Sequence, residues 1–229
     1  MLPKVLRDFR YQFFYGLALS RGFELTTLGA ADSICKWTIC PTGLSSSSVV
    51  YSGGLGRDIS FEHALLARFG CKMVLYDPSP GALETMARTE NQVPQFHFFP
   101  TALTARKGTL ALAPPLDPKG DSWFARNDGT GKIEVPCTDL PSLMAQNRHQ
   151  HVDLLKLDIE GCEYEVIDDL LKRRVPVRQI CVEFHHGIIP GIGRGQTIRS
   201  MLKLLARGYK LVNQEGFNHT FVLPGFSKP

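Results

Sequence analysis

The chain has 229 residues, of which 43% are hydrophobic and 21% charged, and these values suit one globular domain rather than a disordered chain. Its net charge of +4 is mild and no run of five Lys or Arg occurs, so we expect no nucleic-acid partner. Six cysteines without a Cys-x-x-Cys pair argue against zinc and favour a reducing, cytoplasmic compartment.

Residues 1–45 are predicted to form an N-terminal extension of helix and loop, in front of a single domain of residues 46–229. Within the extension, VLRDFRYQFFYGLAL (5–19) is typical of an amphipathic helix packed on the domain. Its apolar part is interrupted by Gly16 and too short to cross a membrane, so we expect no membrane span. The serine-rich segment TGLSSSS (42–48) marks the boundary.

Strand-like and helix-like segments then alternate over more than 150 residues, which predicts an α/β fold with a mostly parallel, doubly wound sheet. The last two strand-like segments, 209–216 and 218–225, have no helix between them. They are therefore predicted to be antiparallel, because a parallel return needs a crossover connection. Residues 114–131, rich in Pro, Gly and Asp, are expected to form a long surface excursion.

A glycine-rich turn with Gly53, Gly54 and Gly56 joins the first strand of this pattern to a helix, as in loops that bind a cofactor. Asp77 closes the second strand about 20 residues later, where a carboxylate can accept hydrogen bonds from ribose hydroxyls. The alternative is a tight turn that needs glycine only for its geometry, with Asp77 as a turn or helix-capping residue.

The glycine pattern narrows the choice of ligand. The sequence lacks GxxxxGK[ST], and Ile59 stands where GxGxxG would place its third glycine. Since both motifs bind phosphate groups, their absence favours a ligand without pyrophosphate, such as S-adenosylmethionine.

Two predicted inner strands carry charged side chains in otherwise apolar runs, Lys156 and Asp158 in one, Glu183 and His185 in the other. A buried, unpaired charge costs several kcal/mol, so these side chains must pair with each other or with a ligand. For Lys156 and Glu183 we favour a salt bridge between neighbouring strands. Asp158, which could instead cap the next helix, and His185 lie near the carboxyl ends of their strands, where ligands bind, and we favour a functional role for both.

The acids after Asp158 are harder to assign. Glu160 is equally compatible with a site acid and with a first-turn helix acid. Glu163 and Glu165 are predicted to lie on a solvated helix face, and His186 is predicted to be an exposed loop residue.

The sequence does not predict a metal site. Several residues are of types that can bind a metal, but no helical HxxxH or similar spacing brings them together. These residues are Asp158, Glu160, Glu183, His185 and His186.

The segment VDLLKLDIEGCEYEVIDDLL (152–171) resembles the signature of the FkbM-type methyltransferases. Weaker similarities occur in the expected order, from about residue 37 to the C-terminus. They are VVYSGGLGRDISFE, VLYDPSP, FFPTALTARKGTLAL, VPCTDLPSLM and QICVEFHHG.

The resemblance implies S-adenosylmethionine-dependent methyl transfer, usually to a hydroxyl oxygen of a sugar, polyketide or similar metabolite. It also implies the class I methyltransferase fold, a Rossmann-like sheet of seven strands with the last one antiparallel. The expected cofactor contacts are Ser52, Gly53, Gly54, Gly56, Asp58, Asp77, Pro78, Thr101, Ala102 and Asp158.

Different members of this set are expected to bind different parts of the cofactor. By similarity the glycines line the methionine part, Asp77 holds the ribose, Thr101 and Ala102 lie by the adenine, and Asp158 lies near the amino group or the transferred methyl. The acid that often ends the first strand is replaced by Tyr51 or Ser52, so Asp58 or Asp158 is expected to compensate.

His185 is the first candidate for a general base that activates the acceptor hydroxyl, with Glu160 and Asp158 as alternatives. Trp123 and Phe124 are expected to cover the acceptor, a small molecule or glycan-like compound, and a homodimer is left open. Two rival functions remain. A nicotinamide-dependent reductase is disfavoured by the missing GxGxxG and by the lack of a suitably placed Tyr-x-x-x-Lys pair, and a non-catalytic binding module is disfavoured by the destabilising polar groups.

Overall fold

The computed structural model describes residues 16, 18–33, 35–117, 120, 122–126 and 131–226. Most of the helix predicted over residues 5–19 lies outside them. The strands, in chain order, are β1 (Thr26–Leu28), β2 (Trp37–Ile39), β3 (Val49–Gly53), β4 (Lys72–Tyr76), β5 (Phe96–Phe99), β6 (Ala102–Leu103), β7 (Gly108–Ala113), β8 (Phe124–Ala125), β9 (Ile133–Thr138), β10 (Leu154–Leu157), β11 (Gln179–Glu183), β12 (Lys210–Glu215) and β13 (Asn218–Val222). The α-helices are α1 (Ser60–Phe69), α2 (Pro80–Met86), α3 (Leu140–Gln146), α4 (Glu163–Arg173) and α5 (Arg194–Ala206).

The central sheet has seven strands in the order β12-β13-β11-β10-β3-β4-β5. The five strands from β11 to β5 are parallel, and β13 runs antiparallel to both of its neighbours. This arrangement confirms the predicted α/β class and the antiparallel C-terminal pair. The final strand lies between β11 and β12 rather than at the edge, so β12 forms the edge of the sheet.

Both faces of the sheet are buried, as the nearly continuous apolar strands predict. Side chains alternate across each strand, so Leu155 and Leu157 of β10 pack in one apolar cluster while Leu154 packs in another. Helix α4 lays Val166 and Ile167 on the first of these clusters. The helices therefore hold the strand ends in fixed positions on both sides of the sheet.

The N-terminal segment differs in part from the predicted helix and loop. Strands β1 and β2 form an antiparallel hairpin, and Trp37 and Ile39 of β2 belong to the second apolar cluster. The Thr220 hydroxyl donates to the Thr38 carbonyl oxygen at 2.5 Å, which ties the hairpin to the sheet. Strands β1 and β2 are thus packed against the domain, because Leu28, Trp37 and Ile39 cover part of one sheet face.

A second sheet has the strand order β6-β9-β7-β8. Its strands β7 and β9 pair antiparallel outside the central sheet, which the alternating sequence pattern did not predict. The predicted surface excursion, 114–131, contributes β8 to this sheet, and residues 118, 119, 121 and 127–130 lie outside the described part.

The six cysteines are all unpaired thiols, five of them buried. No helix within the described ranges has the length and apolar character that crossing a membrane requires. The cytoplasmic location expected from the cysteines stays a prediction.

Candidate active site

A cavity of about 400 Å³ opens at the carboxyl ends of the parallel strands. Its lining includes residues 54–58 after β3, residues 76–79 at the end of β4 and residues 158–160 after β10. This is the edge at which open α/β sheets bind their ligands. Eight of the predicted cofactor contacts line the cavity, namely Gly54, Gly56, Asp58, Asp77, Pro78, Thr101, Ala102 and Asp158.

Two glycines of the turn, Gly53 and Gly54, have no room for a side chain, because other protein atoms lie too close. A β-carbon on Gly53 would lie 1.9 Å from Cε2 of Tyr76, and one on Gly54 would lie 1.5 Å from the carbonyl oxygen of Asp158. Gly54 also has a φ of +76°, which L-residues with side chains rarely adopt. The geometric explanation therefore accounts for both residues, whether or not a ligand is bound.

Ser52 and Gly53 differ from the other predicted cofactor contacts. Both residues are buried, and neither lines the cavity. The Ser52 hydroxyl donates to Oε1 of Glu62 at 2.5 Å. Glu62 is fully buried and comes from α1. The end of β3 is thus paired with a buried acid of the following helix, and this acid does not line the cavity.

Asp77 ties the glycine turn to the end of β4. Its Oδ2 accepts the backbone N–H groups of Leu55 and Gly56 at 2.7 and 3.0 Å, and its Oδ1 accepts that of Ser79 at 2.8 Å. The cap of α2 is Ser79, whose hydroxyl accepts from Ala82. A carboxylate has about four acceptor positions, so Asp77 retains capacity for hydroxyl donors of a ligand.

Lys156 is buried below the turn and stabilised by backbone and acids together. Its Nζ donates to the carbonyl oxygen of Gly54 at 2.6 Å and lies 3.7 Å from Asp158 Oδ2 and 3.9 Å from Glu62 Oε1. Burial lowers its pKa, but the two carboxylates outweigh that effect and raise the pKa above the usual lysine value. The salt bridge predicted between Lys156 and Glu183 is wrong, since Glu62 takes the place of Glu183.

Asp58 lies at the start of α1, beside the cavity. Its Oδ2 accepts the Ser33 hydroxyl at 2.5 Å and its Oδ1 accepts the Ser60 N–H at 2.8 Å. Burial raises the Asp58 pKa, and the hydrogen bonds more than offset this, so the pKa is lowered. Asp58 is therefore an anion that accepts a backbone N–H of the first residue of α1 and faces the cavity.

His185 is buried among three carboxylates. Its Nδ1 lies 2.8 Å from Glu163 Oε1, and its Nε2 lies 3.3 Å from Glu160 Oε2 and 3.7 Å from Asp158 Oδ1. Burial lowers the His185 pKa, but Glu163, Glu160 and Asp158 together raise it to about 10. His185 does not line the cavity; it lies behind Asp158 and Glu160.

Glu163 is the residue that sequence reasoning placed most incorrectly. It is fully buried instead of solvated, and its carboxylate accepts the N–H groups of Ile159 and Gly161 at 3.1 and 2.9 Å. Glu163 precedes Val166 and Ile167 by three and four residues, so helical spacing places it on the buried face of α4. This spacing could have indicated from the sequence that Glu163 is buried. The predicted alternative that Asp158 caps α4 is wrong, because the N-cap residue of α4 is Cys162.

Glu160 lines the cavity and does not lie in the first turn of α4. It lies before α4 and has a positive φ of 50°. Burial raises its pKa to about 7, and burial likewise raises that of Glu183 to about 7. The predicted exposure of His186 is wrong, because His186 is buried and its Nδ1 lies 3.0 Å from the Thr197 hydroxyl oxygen.

The second sheet supplies an apolar part of the lining, which includes Leu110, Leu112, Trp123 and Ala125. Phe124, which was predicted beside Trp123 at the acceptor, does not line the cavity. It packs with Ala113 and Ile189 in a separate apolar cluster. The cavity thus combines acids at the strand ends with an apolar wall.

Comparison with known proteins identifies the domain. No curated protein matches the chain. Among solved structures, the Methanococcus jannaschii fibrillarin pre-rRNA processing protein is similar at 15% identity and a TM-score of 0.41, over 80% of this chain and 68% of that chain. The sequence matches the methyltransferase FkbM domain over residues 41–211, which is more than half of the chain. The chain therefore belongs to the FkbM family of methyltransferases.

Proposed function

We propose that the cavity binds S-adenosylmethionine and that its methyl group is transferred to a hydroxyl oxygen of a small-molecule or sugar-like acceptor. The observation that carries this proposal is the position of the cavity. It lies in a methyltransferase domain, between the glycine turn, the Asp77 carboxylate and the acids after β10. A ligand with ribose hydroxyls and positive charge matches such a lining.

The acids of the lining suit the charged parts of the cofactor. Asp58, Asp158 and Glu160 all line the cavity, and S-adenosylmethionine carries a sulfonium and an ammonium group. Asp77 would accept from the ribose, and Thr101 and Ala102 would lie beside the adenine. Asp158 has one oxygen near Lys156, which fixes the orientation of its carboxylate.

Methyl transfer needs little covalent chemistry from the protein. The acceptor oxygen forms a bond to the methyl carbon while the carbon–sulfur bond breaks, which leaves S-adenosylhomocysteine. The hydroxyl proton passes to a base. Holding the two reactants in line can supply roughly 7–11 kcal/mol of the barrier, and a placed base contributes roughly 10²–10⁴ in rate.

The geometry favours Glu160 over His185 as that base. Glu160 lines the cavity and can reach an acceptor. His185 does not line the cavity, since its Nε2 faces Glu160 and Asp158 and its Nδ1 faces Glu163. His185 was the first candidate from sequence, and its position suits the support of Glu160 and Asp158. The apolar lining by Leu110, Leu112 and Trp123 favours an acceptor whose hydroxyl is carried on an apolar scaffold.

The test is a transfer assay with methyl-labelled S-adenosylmethionine and a panel of hydroxylated metabolites, read by mass spectrometry. We expect a product heavier by one methyl on oxygen, and a loss of roughly 10²-fold or more in turnover for Glu160→Gln at saturating S-adenosylmethionine. A product methylated on nitrogen or carbon would contradict O-methylation. Unchanged turnover of Glu160→Gln would contradict the assignment of the base.

A further inference from the structure

We propose that Asp158, Glu183 and His185 form a binding site for one divalent first-row metal ion, beside the cavity. One ligand atom from each of the three side chains lies within 4.8 Å of the other two. Metal–ligand bonds of about 2.1 Å place adjacent ligand atoms roughly 3 Å apart, so small side-chain movements close the site. This inference rests on the proposed function only for its role in catalysis, not for the binding itself.

The orientation of His185 is the second observation that points to a metal. Its Nδ1 lies 2.8 Å from Glu163 Oε1, and because a carboxylate only accepts, this contact keeps a proton on Nδ1. Nε2 is then the nitrogen that faces Asp158 and Glu160. Imidazole ligands of metals commonly donate their other N–H to a buried carboxylate in this way.

The two acids are also prepared to act as ligands. Asp158 divides its oxygens, with Oδ2 near Lys156 and Oδ1 near His185, so one oxygen is directed at the site. Glu183 is half-buried, and within the described residues its side chain has no hydrogen bond or ion pair. A partly buried carboxylate without such a partner is costly, and a bound cation would stabilise it. Glu160, 3.3 Å from Nε2, lies beside this set and stays available as the base.

One imidazole and two carboxylates form a mixed nitrogen and oxygen set, which suits Mn²⁺, Fe²⁺ or Zn²⁺ better than Ca²⁺. Asp158 lines the cavity, so the ion would lie where an acceptor hydroxyl could reach it. A metal-bound hydroxyl loses its proton more readily than a free one. The ion would therefore assist the transfer of that proton to Glu160.

The alternative occupant of the site is a proton on Nε2 of His185, which would balance the carboxylates without any metal. The full chain is titrated with Mn²⁺ alone, and the electron paramagnetic resonance signal of the free ion is used to monitor binding. This measurement distinguishes a metal ion from a proton as the occupant. We expect one Mn²⁺ bound per chain and a rise in melting temperature with Mn²⁺. No binding at millimolar Mn²⁺ would overturn the proposal.

Two substitutions and one control locate the ion. Glu183→Gln removes a ligand charge and should weaken Mn²⁺ binding by roughly 100-fold, and Glu163→Gln, which acts through His185, by roughly 10–100-fold. Glu165→Gln is the matched control, because Glu165 is an exposed acid on the same helix as Glu163 and should bind as the wild type does.

Equal Mn²⁺ affinity of Glu183→Gln and the wild type would place the ion elsewhere and overturn the proposal. If Glu183→Gln does not fold, as judged by circular dichroism without metal, His185→Gln takes its place under the same criterion. S-adenosylhomocysteine titrated into the same samples tests the proposed function separately. Mn²⁺ binding without nucleoside binding would sink that function and leave the metal site standing.

Discussion

The carbonyl oxygen of Asp158 occupies the space into which a β-carbon on Gly54 would project, 1.5 Å from it. The turn after β3 and the end of β10 are therefore in contact at a point where only glycine fits. Because Asp158 and Gly54 both line the cavity, this contact also sets the width of the cavity at that point.

Replacing Gly54 should disrupt this contact. Gly54→Ala forces the turn away from Asp158 and places alanine at a φ of +76°, so we expect a loss of about 3 kcal/mol or more in the free energy of unfolding. Gly195→Ala is the control, since a β-carbon there meets nothing within 4 Å and α5 should be unaffected or slightly stabilised. Urea denaturation measures both, and equal stability of the two variants would refute the steric argument.

Lys156 should stabilise the folded protein because its charge compensates the buried carboxylate of Glu62. Lys156→Met leaves the buried Glu62 carboxylate without its cation, and we expect a loss of about 3–5 kcal/mol in stability. Adding Glu62→Gln removes the uncompensated charge, so the double variant should be more stable than Lys156→Met alone. Thermal and urea unfolding of the single and double variants check this, and additive losses would show that the two groups do not interact.

His219 should make stability fall in acid. Burial lowers its pKa to about 4, from an unfolded-state value near 6.5, so the unfolded chain binds the proton first as the pH falls. Stability from neutral His219 is complete above pH 6.5 and declines toward pH 4, by at most about 1.4 kcal/mol per pH unit.

His219→Asn isolates this contribution. His219 Nδ1 lies 2.7 Å from the Phe217 carbonyl oxygen, and an asparagine amide can keep that hydrogen bond without titrating. We expect the variant to be less stable at pH 7 but to show a flatter pH dependence between 6.5 and 4. Parallel slopes for the variant and the wild type in urea denaturation would contradict the assignment, because contributions from Glu160 and Glu183 are common to both.

Asp77 should control nucleoside affinity through the turn. Asp77→Ala removes the acceptor for the N–H groups of Leu55 and Gly56, so the turn loses its anchor and the ribose its partner. We expect S-adenosylhomocysteine affinity to fall by roughly 100-fold, equivalent to about 2.7 kcal/mol. Glu165→Gln is the control, as this exposed acid of α4 is not part of the cavity lining and its loss changes the same charge. Calorimetric titration would contradict the role of Asp77 if both variants bound alike.

Local patterns in the sequence were sufficient to predict the sheet and most of the cavity. Alternating strands and helices imply parallel pairing, and ligands of such sheets bind at the carboxyl ends, so Asp77 and Asp158 could be assigned to the site. The glycine turn was also correctly placed. Its physical reason was less evident, because the contacts of Gly54 with Asp158 join residues more than a hundred positions apart.

The partners of the buried charges could not be read from strand parity. Parity paired Lys156 with Glu183, but the nearest acids of Lys156 include Glu62 from a helix. Glu62 and Glu163 each precede apolar helix positions by three residues, so helical spacing contained their burial. The separate sheet of β6 to β9 depends on tertiary packing of short strands, for which the sequence has no local signal.

The central claim is that the cavity binds S-adenosylmethionine. Calorimetric titration of the wild-type chain with this compound, with reduced nicotinamide adenine dinucleotide as the competing ligand, tests it most directly. We predict one S-adenosylmethionine site per chain, unaffected by the nicotinamide compound and weakened by Asp77→Ala. No binding of S-adenosylmethionine, or its displacement by the nicotinamide dinucleotide, would contradict the assignment of the cavity.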